Sequence, residues 1–364
     1  MKIIIALLIL LHGLIHLMGF AKAFGYGNIT QFTKDISKPL GLFWLMAAIL
    51  FIIAAVLIFL KKDIWWVYST IAVLISQYLI FNSWQDAKSG TVANIIIIIF
   101  IIIGFVTWNF KNKYSLDVNA GLIQSAGLQT SILTDTDLQH LPEPVKKYLK
   151  ITGVVGKPKV KIFKVEFFGQ MRKDENSAWM PFTSEQYNFM HGAQRFFFMH
   201  ATMKHLPVTG YHCYKNGKAF MDIRLLSLFK VQYRHGAAMD TSETVTFFND
   251  MCCMAPATLI DNRVKWLDVD GNKVKASFTN NNITIYAWLY FNENGELINF
   301  ISGDRYAAVD TGMKKMQWST PLQPYRQFNG YRLASGADAV YAYPKGEFCY
   351  GQFTTVNVNY NIDN

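Results

Sequence analysis

The chain has 364 residues, 51% of them hydrophobic, with a mean hydropathy of +0.15. That length allows two or three domains, and that hydropathy argues against a wholly soluble protein. The +10 net charge divides into +6 over residues 1–114 (nine Lys against Asp35, Asp63 and Asp86) and +4 over the remainder. No dense basic run appears, which excludes a nucleic-acid footprint but suits a domain beside anionic lipid. Cys213, Cys252, Cys253 and Cys349 form no C-x-x-C pair, so neither a zinc knuckle nor a thioredoxin-type site is indicated. Buried free thiols are expected.

In chain order, four stretches lack any Lys, Arg, Asp or Glu: Ile3–Ala21, Pro39–Leu60, Ile64–Gln85 and Ser89–Phe110. Each approaches the ~20 residues that carry a helix across ~30 Å of hydrocarbon. A four-helix transmembrane region is therefore expected over residues 1–110. Trp65-Trp66 and Trp84 sit where indoles favour the membrane interface. The first stretch also resembles a signal peptide, with Lys2 before it and Ala21-Lys22-Ala23 after it. Its length and the three stretches that follow favour retention. Counting Lys on alternate loops gives five inside against four outside for an inside N-terminus. By that margin the C-terminal domain is expected to be cytosolic.

His12 and His16 are four apart and share one face of the first helix. Paired imidazoles in a membrane could ligate a metal or haem; the plainer reading is two neutral rings hydrogen-bonded inside the bundle. Gln77, Asn82 and Asn94 are the candidate partners on other helices.

Residues 111–136 are polar and mixed, as in a juxtamembrane linker, and residues 137–364 are expected to form the β-rich domain. Pro142 and Pro144 suit the first turn of a short helix in which Val145, Tyr148 and Leu149 share a face. From Lys157 onward, β-branched and aromatic runs predict strands. Asn216-Gly217, Asp270-Gly271, Asn294-Gly295 and Asn329-Gly330 supply the positive φ of tight hairpin turns. One helix interrupts the meander: Asp240 and Glu243 read as its N-terminal capping pair, and Pro256 ends it. The predicted fold is α+β, a curved antiparallel meander forming a half-barrel with one or two helices.

Leu141-Pro-Glu-Pro-Val-Lys-Lys-Tyr-Leu149 and Trp179-Met-Pro-Phe-Thr-Ser-Glu-Gln-Tyr187 resemble the signature boxes of an uncharacterised bacterial membrane-protein family, a domain of unknown function. Tyr325–Arg332 is similar to its terminal hairpins, and His16–Phe24 and Trp84–Thr91 to the leader of some members. The resemblance implies a bacterial inner-membrane setting and no assigned activity. The meander-plus-helix plan is more remotely similar to bacterial lipoprotein-carrier half-barrels, which hold acyl chains outside the inner membrane.

No G-x-S-x-G, H-E-x-x-H, Walker or dinucleotide glycine motif is present. His191, His200, His205, His212 and His235 match no zinc spacing. Glu185 lies among aromatics, where a raised pKa could suit a general acid; a structural role, such as pairing with Arg195, is the plainer reading. The aromatic load is more suggestive, because aromatic-lined pockets hold small apolar ligands. Trp179, Glu185, Tyr187, Phe197, Trp288 and Trp318 are the candidate ligand-binding residues. The expected function is a membrane-tethered domain binding a lipid, acyl chain or other apolar molecule, with the bilayer as its partner. The alternative is a membrane redox or metal-dependent enzyme using His12 and His16.

Overall fold

The computed structural model describes residues 2–309 and 312–362. The chain divides into two compact units, residues 1–112 and 113–364.

The first unit contains α1 (Lys2–Phe24), α2 (Lys38–Phe59), α3 (Trp65–Asn82), the single-turn α4 (Trp84–Ala87) and most of α5 (Gly90–Ser125). Small residues let α1 and α2 approach closely. A Cβ on Gly19 would lie 2.2 Å from the Trp44 ring, and one on Gly41 would lie 2.4 Å from Ala23 Cβ. Such contacts are how helices associate where there is no hydrophobic drive between them.

Where four spans are expected, three candidate helices are found among the described residues. Ile3–Phe24, Lys38–Phe59 and Gly90–Ser125 are long and apolar enough to cross a membrane. The expected third span is cut short when α3 ends at Asn82 and the chain turns at Ser83 into α4. Its 18 residues rise only ~27 Å, and they include Ser69, Thr70, Ser76, Gln77 and Asn82, which lower the mean hydropathy. The alternate-loop Lys count that led to a cytosolic domain assumed four spans and no longer applies. Residues 111–125, expected in a linker, continue α5.

The second unit follows a 3-10 turn (Asp135–Leu138) with the expected amphipathic helix, α6 (Glu143–Ile151), which buries Val145, Tyr148 and Leu149. Fifteen strands then form: β1 (Ile162–Met171), β2 (Met180–Phe189), β3 (Gln194–Met203), β4 (Leu206–Lys215), β5 (Lys218–Leu225), β6 (Phe229–His235), β7 (Val264–Asp270), β8 (Lys273–Asn280), β9 (Ile283–Phe291), β10 (Leu297–Val309), β11 (Gly312–Ser319), β12 (Tyr325–Phe328), β13 (Tyr331–Ala334), β14 (Gly336–Tyr343) and β15 (Gly346–Tyr360). Thirteen make one sheet in the order β6-β5-β4-β3-β2-β1-β15-β14-β11-β10-β9-β8-β7, and β12 pairs with β13 apart from it. Every pairing is antiparallel. All four predicted dipeptides lie at hairpin turns. Asn216-Gly217 and Asn329-Gly330 have positive φ at both residues, as type I′ turns require.

The sheet curls strongly. β4 and β8 stand nine places apart, about 43 Å on a flat sheet at ~4.8 Å per strand, yet Asn280 Nδ2 donates to Tyr214 Oη at 2.7 Å. The helix α7 (Ala237–Met254) leaves β6 at one edge and leads to β7 at the other. It therefore has to cross the concave side, and 15 of its 18 residues are buried there. This is the half-barrel that the sequence predicted. The N-cap is Gly236 rather than Asp240: Asp240 accepts from the Ala219 N–H at 2.7 Å and from Lys218 Nζ at 3.0 Å, tying the helix to β5.

Candidate functional site

Strand alternation separates the two faces of the half-barrel. On β2, Gln186 and Asn188 point to α7; on β3, the residue opposite Gln186 is Phe197. These define the concave face. Glu185 and Tyr187 point the other way, opposite Phe198 and Phe196.

The deep part of the concave face is built around Arg195 of β3. Its Nε donates to Asp250 Oδ2 at 2.7 Å, Nη1 to Glu243 Oε2 at 3.1 Å and Nη2 to Gln186 Oε1 at 2.8 Å. Gln186 Nε2 and Asn188 Nδ2 also donate to Asp250 Oδ2, at 2.7 and 3.2 Å. Glu243 and Asp250 are seven residues apart, two turns along one face of α7. Burial pushes the Asp250 carboxyl up from its ordinary range, and Arg195 only partly offsets that. On the other flank, Arg305 donates to Thr246 Oγ1 and, at 3.2 Å, to the Ser242 carbonyl; its guanidinium lies 4.6 Å from the Trp318 ring centre. Around these polar anchors the packing is aromatic. Phe248 stacks on Phe278 at 5.4 Å and meets Phe300 edge-on at 5.7 Å.

Beyond α7, toward the β3–β4 turn, the concave face is apolar and only partly covered. Met180, Met221, Ile223, Leu225, Tyr341 and Tyr350 are half-buried there. Tyr341 and Tyr350 stack at 5.4 Å, and Trp318 Nε1 donates to Tyr350 Oη at 3.2 Å. His212 neighbours Phe197, with ring centres 5.4 Å apart. Burial first, then the charges of Arg195 and Arg305, push its pKa down to about 3, so it is neutral at physiological pH.

The six candidate ligand-binding residues are therefore not one site. Phe197 and Trp318 lie on the concave face. Trp179 lies in the β1–β2 loop at the same end as the half-covered row, against Arg172 at 4.5 Å. Glu185 and Tyr187 belong to the convex face, where Glu185 takes hydrogen bonds from Tyr114 Oη at 2.9 Å and Lys164 Nζ at 2.7 Å. Burial alone would lower the Lys164 ammonium, but Glu185 and Glu166 together raise it. The pairing of Glu185 with Arg195 is excluded by the faces. Trp288 lies away from the concave face, near Lys273 and Lys275 at 5.9 and 5.7 Å. Arg195, Tyr341 and Tyr350 were not singled out as ligand-binding or anchoring residues from the sequence. The readable signal for the first was a lone Arg in the core run Phe189–Met199, together with acids at i and i+7 of one helix.

In the first unit, His12 and His16 belong to one buried polar network. His16 Nδ1 lies 2.8 Å from the His12 carbonyl, which can only accept, so Nδ1 carries the proton. Nε2 of His16 then accepts from Ser76 Oγ at 2.8 Å, and His12 Nε2 donates to Asn94 Oδ1 at 3.0 Å. Asn94 Nδ2 donates to Ser76 Oγ and to Gln77 Oε1, each at 3.0 Å. Both nitrogens of His16 are thus engaged. Among the described residues no cluster of three or more His, Cys, Asp or Glu could hold a metal ion. Asn82, a candidate partner, instead bonds the Tyr78 carbonyl. Asn94→Leu should destabilise the helical unit by about 1–2 kcal/mol, read as earlier thermal unfolding in detergent, because it removes the acceptor of His12 Nε2 and the donor to Ser76 Oγ and Gln77 Oε1 at once. Gln77→Leu, at the network's edge, should cost less.

The second unit is thus a helix-filled antiparallel half-barrel whose concave face is polar under α7 and apolar beyond it. The chain belongs to a family of unknown function, DUF6544, matched over residues 131–353. No curated protein matches. Among solved structures it is similar to a DUF1329 family protein from Desulfovibrio piger, at 8% identity over 64% of this chain and 95% of that one, with a TM-score of 0.34. It is also similar to a β-barrel-like protein of the domain of unknown function DUF1849 from Brucella abortus, at 7% identity over 56% and 99%, with a TM-score of 0.16.

Proposed function

We propose that this protein is a membrane-tethered binding domain. In this reading the three apolar helices hold it in a bilayer, and the concave face beyond α7 takes a lipid acyl chain or another apolar ligand. The observation that carries the reading is the row Met180, Met221, Ile223, Leu225, Tyr341 and Tyr350, left half-buried on a concave surface. A ligand covering the rest of that row gains roughly 25 cal/mol per Å² of apolar surface removed from water. The nearby ionisable groups favour binding over chemistry. His212 is held neutral, Arg195 is committed to α7, and Arg305 is shared between α7 and Tyr341 Oη.

A dansyl-labelled fatty acid titrated into the full-length protein in detergent tests this. Saturable binding is expected, weakened about ten-fold or more by Ile223→Glu, which places a carboxylate in the row (~1.4 kcal/mol or more). Binding that never saturates, or that Ile223→Glu leaves unchanged in a folded protein, would end this reading.

A further inference from the structure

Two hairpin tips at the open end of the half-barrel place residues other than Asn and Gly in the left-handed region, which the β2–β3 turn does at Ala193 alone (φ 46°). Three other tight turns place Asn or Gly in the left-handed region: Asn216-Gly217, Asn281-Asn282 and Asn329-Gly330. The β3–β4 turn puts Lys204 (φ 48°) and His205 (φ 66°) there, and the β5–β6 turn puts Leu226 (φ 55°) and Ser227 (φ 58°) there. A branched, apolar leucine is strained in that conformation. Strain of this kind collects where side chains serve a purpose beyond folding.

The strand register brings these two turns together. Met203 pairs with Leu206, Val208 with Leu225, and Leu225 with Phe229, so both tips sit at one end of neighbouring strands. Their apolar side chains stand in solvent: Met203, Leu206, Leu228 and Val231 are exposed, and Phe229 is 58% exposed. Lys204, Lys230 and Arg234 lie among them, while Arg224 is paired with Asp222 at 2.7 Å, and residues 203–209 and 223–235 contain no Asp or Glu.

We propose that the β3–β4 and β5–β6 tips form a lipid-docking surface, inserting Met203, Leu206, Leu228 and Phe229 into an anionic bilayer while Lys204, Lys230 and Arg234 meet its headgroups. Apolar side chains ringed by bases are what such a surface attracts. A second copy of the chain fits less well. Antiparallel pairing of two β6 edges about Gln232 would set Lys230 opposite Arg234, and like charges oppose such pairing. The inference rests on the membrane-tethered reading.

The test is photocrosslinking of full-length protein in vesicles, with p-benzoylphenylalanine replacing Phe229 in one sample and the exposed helix residue Leu7 in another. With phosphatidylglycerol vesicles, lipid adducts are expected at both positions. In pure phosphatidylcholine the adduct at 229 should fall about ten-fold while that at Leu7 persists, since the bases contribute only at an anionic surface. Lys204→Glu with Lys230→Glu should reproduce that fall in phosphatidylglycerol. An adduct at Leu7 with none at 229 overturns docking and leaves tethering intact, and a dimer-sized adduct at 229 overturns it in favour of a second copy. Absence of lipid at both positions overturns docking and tethering together.

Discussion

Replacing Arg195 by Met should cost the second unit about 3–5 kcal/mol, the largest loss expected from a single polar substitution in this chain. Met nearly matches the volume of the side chain but takes from Asp250 its guanidinium partner and leaves Glu243 only the charge of Arg305 on the other flank. It also strands Gln186 Oε1, which Arg195 Nη2 satisfies at 2.8 Å. A buried ion pair adds little net stability over an apolar replacement of the whole group, yet removing one partner exposes the full desolvation cost of the other. The loss should depend on pH in a defined direction. Asp250 already has a raised pKa because burial outweighs Arg195, and removing the cation raises it further. Between the unfolded value of about 3.9 and that raised folded value, the native state holds the extra proton. Stability conferred by protonating Asp250 is present at the low end of that window and lost as pH rises through it. Thermal unfolding in mild detergent should therefore show the deficit of Arg195→Met shrinking as pH is lowered through the raised Asp250 value toward the unfolded value of about 3.9. A deficit independent of pH would mean that Asp250 finds another partner or water. The triple variant Arg195→Met, Glu243→Gln, Asp250→Asn should recover most of the lost stability.

The parts of this structure legible in the sequence are those fixed by local periodicity. The β meander followed from alternating apolar residues and from turn dipeptides whose positive φ has one cheap solution, and α6 from prolines followed by apolar residues three and four apart. The helix in the concave face was legible because Pro256 stops it; that it must cross from edge to edge follows from strand order, which no local signal carries. The third span was misread because the absence of charge was taken as sufficient. Ser69, Thr70, Ser76 and Gln77 are uncharged but polar, and the chain turns at Ser83 before Gln85 is reached. The ligand-binding set is divided between two faces for a different reason. A strand sends alternate residues to opposite faces, so Glu185 and Tyr187 could share a site with Phe197 only if the register of β2 against β3 had been one residue different. Register is set by the hairpin turn at 190–193, where the signal was weak. The exposed tips at 203–206 and 226–229 were invisible because their turn residues are poor turn formers.

Phe248→Ala should cost about 3–5 kcal/mol, and what it does to ligand binding separates two ways in which the half-barrel could work. Phe248 is fully buried, stacked within 3° of parallel on Phe278 and edge-on to Phe300. Its loss opens a cavity beneath α7 at a point where β8 and β10 are held by their own ladders and cannot collapse inward. Phe168→Ala, at a position 52% exposed on the convex face, should stay within about 0.5 kcal/mol of the parent. If ligand occupies only the row beyond α7, the helix is a fixed floor. Dansyl fatty-acid affinity, measured well below the unfolding transition, should then change less than about two-fold in Phe248→Ala. If ligand instead takes the place of α7, only the α7-displaced state binds, and apparent affinity scales with the population of that state. Loosening the seat by several kcal/mol would then tighten apparent binding by about a hundred-fold or more. The polar anchors favour the first outcome, because displacing α7 would strand Arg195, Gln186 and Asn188 as well as the acids they hold. Buried groups so left cost more than an acyl chain in the same trough returns. A large gain in affinity for Phe248→Ala would therefore identify α7 as a mobile plug, and an unchanged affinity fixes the site at the Tyr341–Tyr350 end.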